Sequence, residues 1–478
     1  MMRHSLITFL LVCVHALGLH AQADSAASQR VVLYEEAFLE RVLAYHPEAR
    51  QAGLLPEVGR QIVRAARGGF DPKVVAAYDQ KDYSGSNYFK ILDANLEIPT
   101  WYGVKAVVGY MNSEGKYLNP EENTPGQGLA AIGVEWTPLR GLIIDKRRAA
   151  LAKAKVFAAT NEVQRIGMLN DLLAEAVAAY WEWVRAWHSL AVYDEALRLS
   201  ETRYTAIVGS WRGGARPAID TTEALIQIRS RQVDQEAAKF KELKARLYLE
   251  TFLWTPEGEP LEMSARIVPP AMTEVPTDAL DLPTAATIDS IIERHPDVMT
   301  YSLKLDKLEI DRRFQAEQLK PELYVKYQWL GTPPMTDASP AYQFGYENYK
   351  LGVGFAFPIF LREARGNLAQ IQLETQAAEL ELDNKRRSVF YKAQAIGAGH
   401  ATAREQSALS GQLVEDYRVL VRGERRRFDV GESSLFLVNA REQSLIKAEL
   451  DYITLRCVIP VQRMDFYRAL GGAYLLMQ

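Results

Sequence analysis

The sequence predicts a mixed α/β membrane protein in which long helical hairpins are joined to short, aromatic-rich strands. Three observations predict it. One structural plan is written twice along the chain; the helical stretches are too long for a compact domain and carry a heptad seam; and the strands alternate apolar with polar residues although no stretch is apolar for long enough to form a membrane-spanning helix.

The duplication is read from shared positions. His46-Pro47, Pro72 and Tyr78 recur as His295-Pro296, Pro321 and Tyr327 at a shift of 249, whereas Arg148, Leu151, Ala152 and Gly214 recur as Arg365, Leu368, Ala369 and Gly431 at a shift of 217. The first repeat therefore holds 249 − 217 = 32 extra residues between Pro72 and Arg148. Repeat 1 runs from about 30 to 253, with strands within 73–137 and a helical hairpin over 145–253. Repeat 2 runs from about 285 to 470, with strands within 322–358 and a hairpin over 363–468.

From Asp145 to Val208 there is no proline and one glycine, Gly167, and Leu173, Val177, Tyr180, Val184, Trp187 and Ala191 step alternately by four and three residues. That is a coiled-coil seam on a helix of roughly 64 residues, about 95 Å at 1.5 Å per residue. A second such helix is expected from about Glu363 to Arg427. Each ends in a break, Gly209 to Pro217 and Phe428 to Ser434, where glycine tolerates the left-handed conformation and serine can cap the helix that follows. The return helices, about Ala218 to Leu253 and Leu435 to Arg468, complete two antiparallel hairpins; Leu445, Ala448, Tyr452 and Leu455 keep the seam in the second.

Elsewhere the period is two. Leu323, Val325, Tyr327 and Trp329 alternate with polar residues, as do Leu351, Val353, Phe355 and Phe357 with Gly352, Gly354 and Ala356. The first repeat supplies Val74, Ala76 and Tyr78, then Val104 to Tyr110, then Ile132, Val134 and Trp136. Polar loops, Asn112 to Gly128 and Gly331 to Ala341, join them.

Arg3, the apolar stretch from Leu6 to Leu19 and Ala21-Gln22-Ala23 have the form of an export signal, so residues 1–23 are expected to be a signal peptide and 24–478 one mature, elongated protomer. Cys13 follows a poor lipidation motif, and Cys457 alone remains for the mature chain, so no intramolecular disulfide is expected. With Lys+Arg 56 against Asp+Glu 60, the net charge of −4 gives no footprint for nucleic acid. Export, ring-bearing strands and the lack of an apolar helix favour an outer-membrane barrel, and since two strands per repeat cannot close one without a lipid-exposed edge, the barrel must be shared between chains.

His295-Pro296, the run Lys307 to Pro321 into a strand, Phe357-Pro358-Ile359-Phe360 out of one, and Phe428-Asp429-Val430-Gly431 through Glu449 resemble, in order, spacing and duplication, the TolC-type outer-membrane efflux channels. The resemblance covers nearly all of the mature chain. It implies a homotrimer forming a twelve-stranded outer-membrane barrel, four strands per protomer, continued through the periplasm by a barrel of long helices. It also implies a passive exit duct of a tripartite efflux or type I secretion system, with a periplasmic adaptor and an inner-membrane transporter as partners and no cofactor. By the same resemblance Gly213, Gly214, Val430 and Gly431 are expected at adaptor-docking tips. Some relatives narrow the periplasmic entrance with aspartates six and nine residues past the second tip glycine; here those positions are Leu437 and Ala440, beside Asn439, and the first tip keeps Asp220. The gate is therefore expected among Asp220, Glu432, Leu437, Val438 and Asn439, closed by apolar packing of Leu437 and Val438.

Plainer readings cover the remaining motifs. His46 and His295, each before a proline, are helix-start residues rather than metal ligands. Gly352 and Gly354 lie in a strand, and Trp181, Trp183 and Trp187 are helix packing. Arg425, Arg426 and Arg427 are a solvated face at a helix end. No catalytic Ser/His/Asp set or paired acids stand out, so an enzyme is not expected. A periplasmic adaptor or a structural envelope protein is the alternative, although neither needs aromatic strands on a duplicated plan.

Overall fold

The computed structural model describes residues 30–280, 285–333 and 342–472. The expected signal peptide lies outside the described residues, as does most of the loop from Gly331 to Ala341. In chain order the elements are β1 (Val31–Val32), α1 (Glu35–Tyr45), α2 (Pro47–Arg67), β2 (Lys73–Tyr83), β3 (Ser86–Pro99), β4 (Val104–Glu114), β5 (Leu129–Trp136), α3 (Lys146–Arg212) and α4 (Ala218–Glu250). There follow β6 (Ile267–Val268), α5 (Ala285–Ile292), α6 (Pro296–Glu317), β7 (Glu322–Thr332), β8 (Gln343–Ala356), α7 (Arg362–Asp429) and α8 (Leu435–Ala469). The chain forms two compact units: Leu54–Arg165 with Pro296–Arg386, and Met1–Gly53 with Ile166–His295 and Arg387–Gln478. The helices α3 and α7, of 67 and 68 residues, contribute to both.

The first of these units holds a six-stranded sheet of order β2-β3-β4-β5-β7-β8, in which every neighbouring pair is antiparallel. Both ends of β2 map onto both ends of β7 at the 249 shift, and β5 maps inside β8 at the 217 shift. In the second repeat β7 and β8 pair directly; in the first, β3 and β4 stand between the equivalent β2 and β5. The 32 extra residues are thus an inserted β-hairpin. The expected four strands per protomer are corrected to six in this chain's sheet. Ser84 (φ 51°) and Gly85 (φ 74°) form the two-residue turn into this hairpin, both left-handed, which suits the twist of adjacent strands.

The register gives the sheet two unlike faces. Val74, Leu96, Val108, Ile132, Trp329 and Tyr349 form one apolar row across all six strands. Its side chains are largely exposed, Val74 by 78% and Tyr349 by 54%, so the apolar face points away from protein rather than into a core. The opposite face is charged. Glu97 on β3, Lys105 on β4, Glu135 on β5 and Lys326 on β7 form a chain of ion pairs with N···O distances of 3.1, 2.5 and 3.3 Å. Strand direction places the turn at Ser84-Gly85, the 115–128 loop, the end of β7 and the start of β8 at one end of the sheet, and the 100–103 turn with the helix junctions at the other. The long loop folds back: Ser113 N–H donates to Thr124 Oγ1 at 2.9 Å, and Tyr110 and Tyr342 hydroxyls donate to Gln127 O at 3.1 and 2.7 Å.

The other unit is helical. Its core joins Phe38, Leu39 and Val42 of α1 to the α3 stretch from Leu169 to Ala186, to Ala245 and Leu249 of α4, and to Ile453 and Cys457 of α8. Tyr180 is fully buried, stacked on Phe38 at 5.6 Å, and its hydroxyl donates to Leu33 O at 2.7 Å. Trp181 Nε1 donates to Glu35 at 3.1 Å. Removing the Tyr180 hydroxyl (Tyr180→Phe) should cost about 1 kcal/mol of stability, and Trp183→Ala, which empties a fully buried site, about 3–5 kcal/mol. Denaturation followed by helical circular dichroism should resolve the two, while exposed Lys447→Ala serves as a control with little effect.

Candidate functional site: the two hairpin tips

Both helical hairpins turn by the same backbone device. At the end of α3, Gly214 N–H donates to Trp211 O and Ala215 N–H to Ser210 O, both at 2.9 Å, with Gly214 at φ +75°. At the end of α7, Gly431 N–H donates to Phe428 O at 3.1 Å and Glu432 N–H to Arg427 O at 2.8 Å, with Gly431 at φ +82°. These paired bonds satisfy the last helix carbonyls and need a left-handed residue, which is why glycine stands at both positions. A Cβ at Gly214 or Gly431 would meet nothing within 4 Å, so each tip is an open surface, flanked in the second by Val430 at 72% exposure. Ser434 caps α8 by accepting from Leu437 N–H at 3.3 Å.

Behind the turns, a small core gathers Ile207 of α3, Ala224 of α4, Phe428 of α7, and Leu435 and Val438 of α8. Arg216 crosses between the tips: its guanidinium lies 3.9 Å over the Phe428 ring and donates to Phe428 O at 3.3 Å. Beside it runs a polar clamp. Glu442 is buried and accepts from Arg203 and from Arg425, the latter at 2.7 Å. Arg203 also donates to Asn439 Oδ1 at 3.0 Å, and Asn439 Nδ2 donates to Glu223 at 3.2 Å. One connected network thus ties α3 (Arg203), α4 (Glu223), α7 (Arg425) and α8 (Asn439, Glu442). Two guanidinium groups around one carboxylate compensate its burial, so loss of the carboxylate would strand both cations.

These contacts separate the candidate gate residues. Val438 is 1% exposed and fills its own chain's core, so the expected apolar closure by Leu437 and Val438 together is corrected. Asn439 belongs to the clamp, and Asp220 sits 3.5 Å from Arg216. Leu437, 40% exposed, and Glu432 are left facing outward. Arg425 is likewise no solvated charge, unlike exposed Arg426. Arg203, Glu223, Arg425 and Glu442 escaped the sequence reading, yet one signal was present: Glu442 falls on the buried α8 face with Leu435, Val438 and Ile446. His46 starts α2, its Nδ1 accepting from Glu48 N–H at 3.3 Å and its ring stacked on Phe252 at 5.7 Å.

Glu442→Ala should therefore loosen the tips, costing about 1–3 kcal/mol as the half-buried Arg203 and the more exposed Arg425 lose their common partner. Val438→Asp should disrupt them as well, whereas Leu437→Asp should leave them folded. Amide exchange over 200–225 and 425–445 reads the difference; equal protection in all three variants would contradict the placement.

The comparisons with known proteins agree with this architecture. Residues 287–472, nearly the whole second repeat, match the family model of the outer membrane efflux protein. No protein among the curated sequences matches the chain. Among solved structures, a membrane protein of Pseudomonas aeruginosa is similar at a TM-score of 0.67 and 16% identity, over 92% of this chain and 93% of that one. The open state of the Neisseria gonorrhoeae MtrE outer membrane channel is similar at 0.66 and 16%, over 92% and 89%. The outer membrane protein VceC of Vibrio cholerae gives 0.64 and 12%, over 92% and 96%. At these identities the structural likeness establishes the fold, and the second repeat is similar to the outer membrane efflux proteins.

Proposed function

We propose that this chain is the exit duct of a tripartite efflux or type I secretion system, assembled as a homotrimer whose sheets form a barrel in the outer membrane and whose helices line a passage through the periplasm. The observation that carries the reading is the sheet. Its apolar side chains are exposed on one face and its ion pairs run along the other, the arrangement a bilayer outside and water inside would demand. Helix α4 supports self-assembly independently: Ile219, Ile226, Val233, Phe240 and Leu247 recur every seven residues and are all exposed, a coiled-coil stripe left uncovered by the described residues.

Transport needs no covalent step. The ion-pair row carries two carboxylates and two ammonium groups, so the wall presents both signs and no strong preference for either. Gly213, Gly214, Val430 and Gly431 form the surface an adaptor meets, with an inner-membrane transporter behind it. Opening must separate helices that the Arg203–Glu442–Arg425 clamp holds together, and Leu437 and Glu432 are the outward-facing groups at that mouth.

Two measurements test this reading. An epitope within 115–128 should be reachable by antibody on intact cells, and labelling that requires permeabilised cells would reverse the topology. Val430→Trp places bulk on an exposed residue outside the left-handed position, so it should abolish adaptor crosslinking and export while assembly persists. Unchanged export would remove the tips from docking.

A further inference from the structure

We propose that β8 of one copy pairs with β2 of the next in a fixed register, Lys350 opposite Asp79 and Gly352 opposite Ala77, so that every copy adds all six strands, the inserted hairpin included, to one barrel. The proposal rests on the homo-oligomeric reading above and goes beyond it in naming the seam.

Strand direction allows the seam. Six strands alternate in direction, so the first and last run oppositely, and β8 meeting β2 of another copy is antiparallel like every pair inside the chain. The duplication supplies the register. The in-chain junction β5–β7 joins the last strand of repeat 1 to the first of repeat 2; the junction between copies joins the last strand of repeat 2 to the first of repeat 1. Facing residues at β5–β7 have numbers that sum to 461, as in Gly133↔Gln328 and Glu135↔Lys326. Moving β5 forward by 217 and β7 back by 249 gives 461 + 217 − 249 = 429. Lys350 then faces Asp79, Leu351 faces Tyr78 and Gly352 faces Ala77.

Two features that played no part in that arithmetic agree with it. Leu351 and Tyr78 both belong to the exposed apolar face, and Lys350 and Asp79 both belong to the charged face, so neither strand is inverted. Asp79 and Lys350 are opposite in sign, and neither takes part in a salt bridge within the chain among the described residues. The copy is not literal at one point. Gly133 brings β5 within 2.4 Å, measured from a would-be Cβ, of Tyr327 O, where Lys350 stands in the other junction, so the seam between copies opens there to ordinary strand spacing.

Pore size follows. With three copies the barrel closes at six times three, eighteen strands, and because diameter grows roughly linearly with strand number the lumen is about 1.5-fold wider than a twelve-stranded one, in the range where barrels hold an aqueous channel.

Cysteine pairs read the register in outer membranes. Tyr78→Cys with Leu351→Cys, and Ala77→Cys with Gly352→Cys, should form disulfides between copies on mild oxidation, giving a non-reducing ladder that ends at the trimer. Ala77→Cys with Ala356→Cys, four residues out of register, should link at least tenfold less. Native Cys457 does not compete, because burial pushes its thiol up to about 12. Asp79→Lys should make the unboiled oligomer dissociate at lower temperature, and adding Lys350→Asp should restore it. Equal or stronger linking of the shifted pair, or no linking in an oligomer that still forms, would overturn the register while leaving the channel reading intact. A monomer, or a chain absent from the outer membrane, would overturn both.

Discussion

A backbone amide in hydrocarbon must find a partner within the protein, and that constraint governs this chain more than any side-chain contact. Its six-stranded sheet satisfies the constraint everywhere except along the outer edges of β2 and β8, which span 11 and 14 residues. Neither edge strand contains a proline, and the charges that face each other's edge on the polar side, Asp79 of β2 and Lys350 of β8, are opposite in sign. The apolar row from Val74 to Tyr349 excludes water as the remedy. Self-association is therefore a condition of the fold in a membrane, and the exposed heptad stripe on α4 points the same way from the helical unit.

On the proposed reading the helical unit meets a different demand: it must hold together yet be able to part. Tyr180, Trp183 and their neighbours form a dry core suited to permanence. Near the tips the packing becomes smaller and more polar, and Glu442 between two arginines carries much of the cohesion. A charge cluster of this kind is strong only while complete, so displacing one member weakens all of it. The tip turns depend on glycine, since Gly214 and Gly431 occupy a conformation other residues adopt only with strain.

Much of this was legible in the sequence. The shifts of 249 and 217 located both hairpins and both tips, because glycine and proline mark positions that backbone geometry dictates. The same difference, 32 residues, already had the length of a β-hairpin, and Leu92, Leu96 and Ile98 alternating with Asp93, Asn95 and Glu97 mark β3 plainly. The strand was missed because the family plan supplies two strands per repeat, and an inserted pair leaves every other motif in place. The gate was less legible for a physical reason. Whether Val438 or Leu437 faces outward depends on how four helices rotate about one another, and a one-residue difference along a helix turns a side chain by roughly 100°. Arg203 and Glu442 are 239 residues apart in the chain, so no local pattern announces their pairing.

The central claim, a transmembrane barrel built from all six strands of each of several copies, is tested most directly by determining the structure of the intact assembly in lipid and counting the strands of its wall. The account predicts a closed barrel with six strands per copy, β3 and β4 within the wall and Lys350 facing Asp79 across each seam. A twelve-stranded wall with the inserted hairpin lying outside it, or a sheet closed within a single chain, would contradict it.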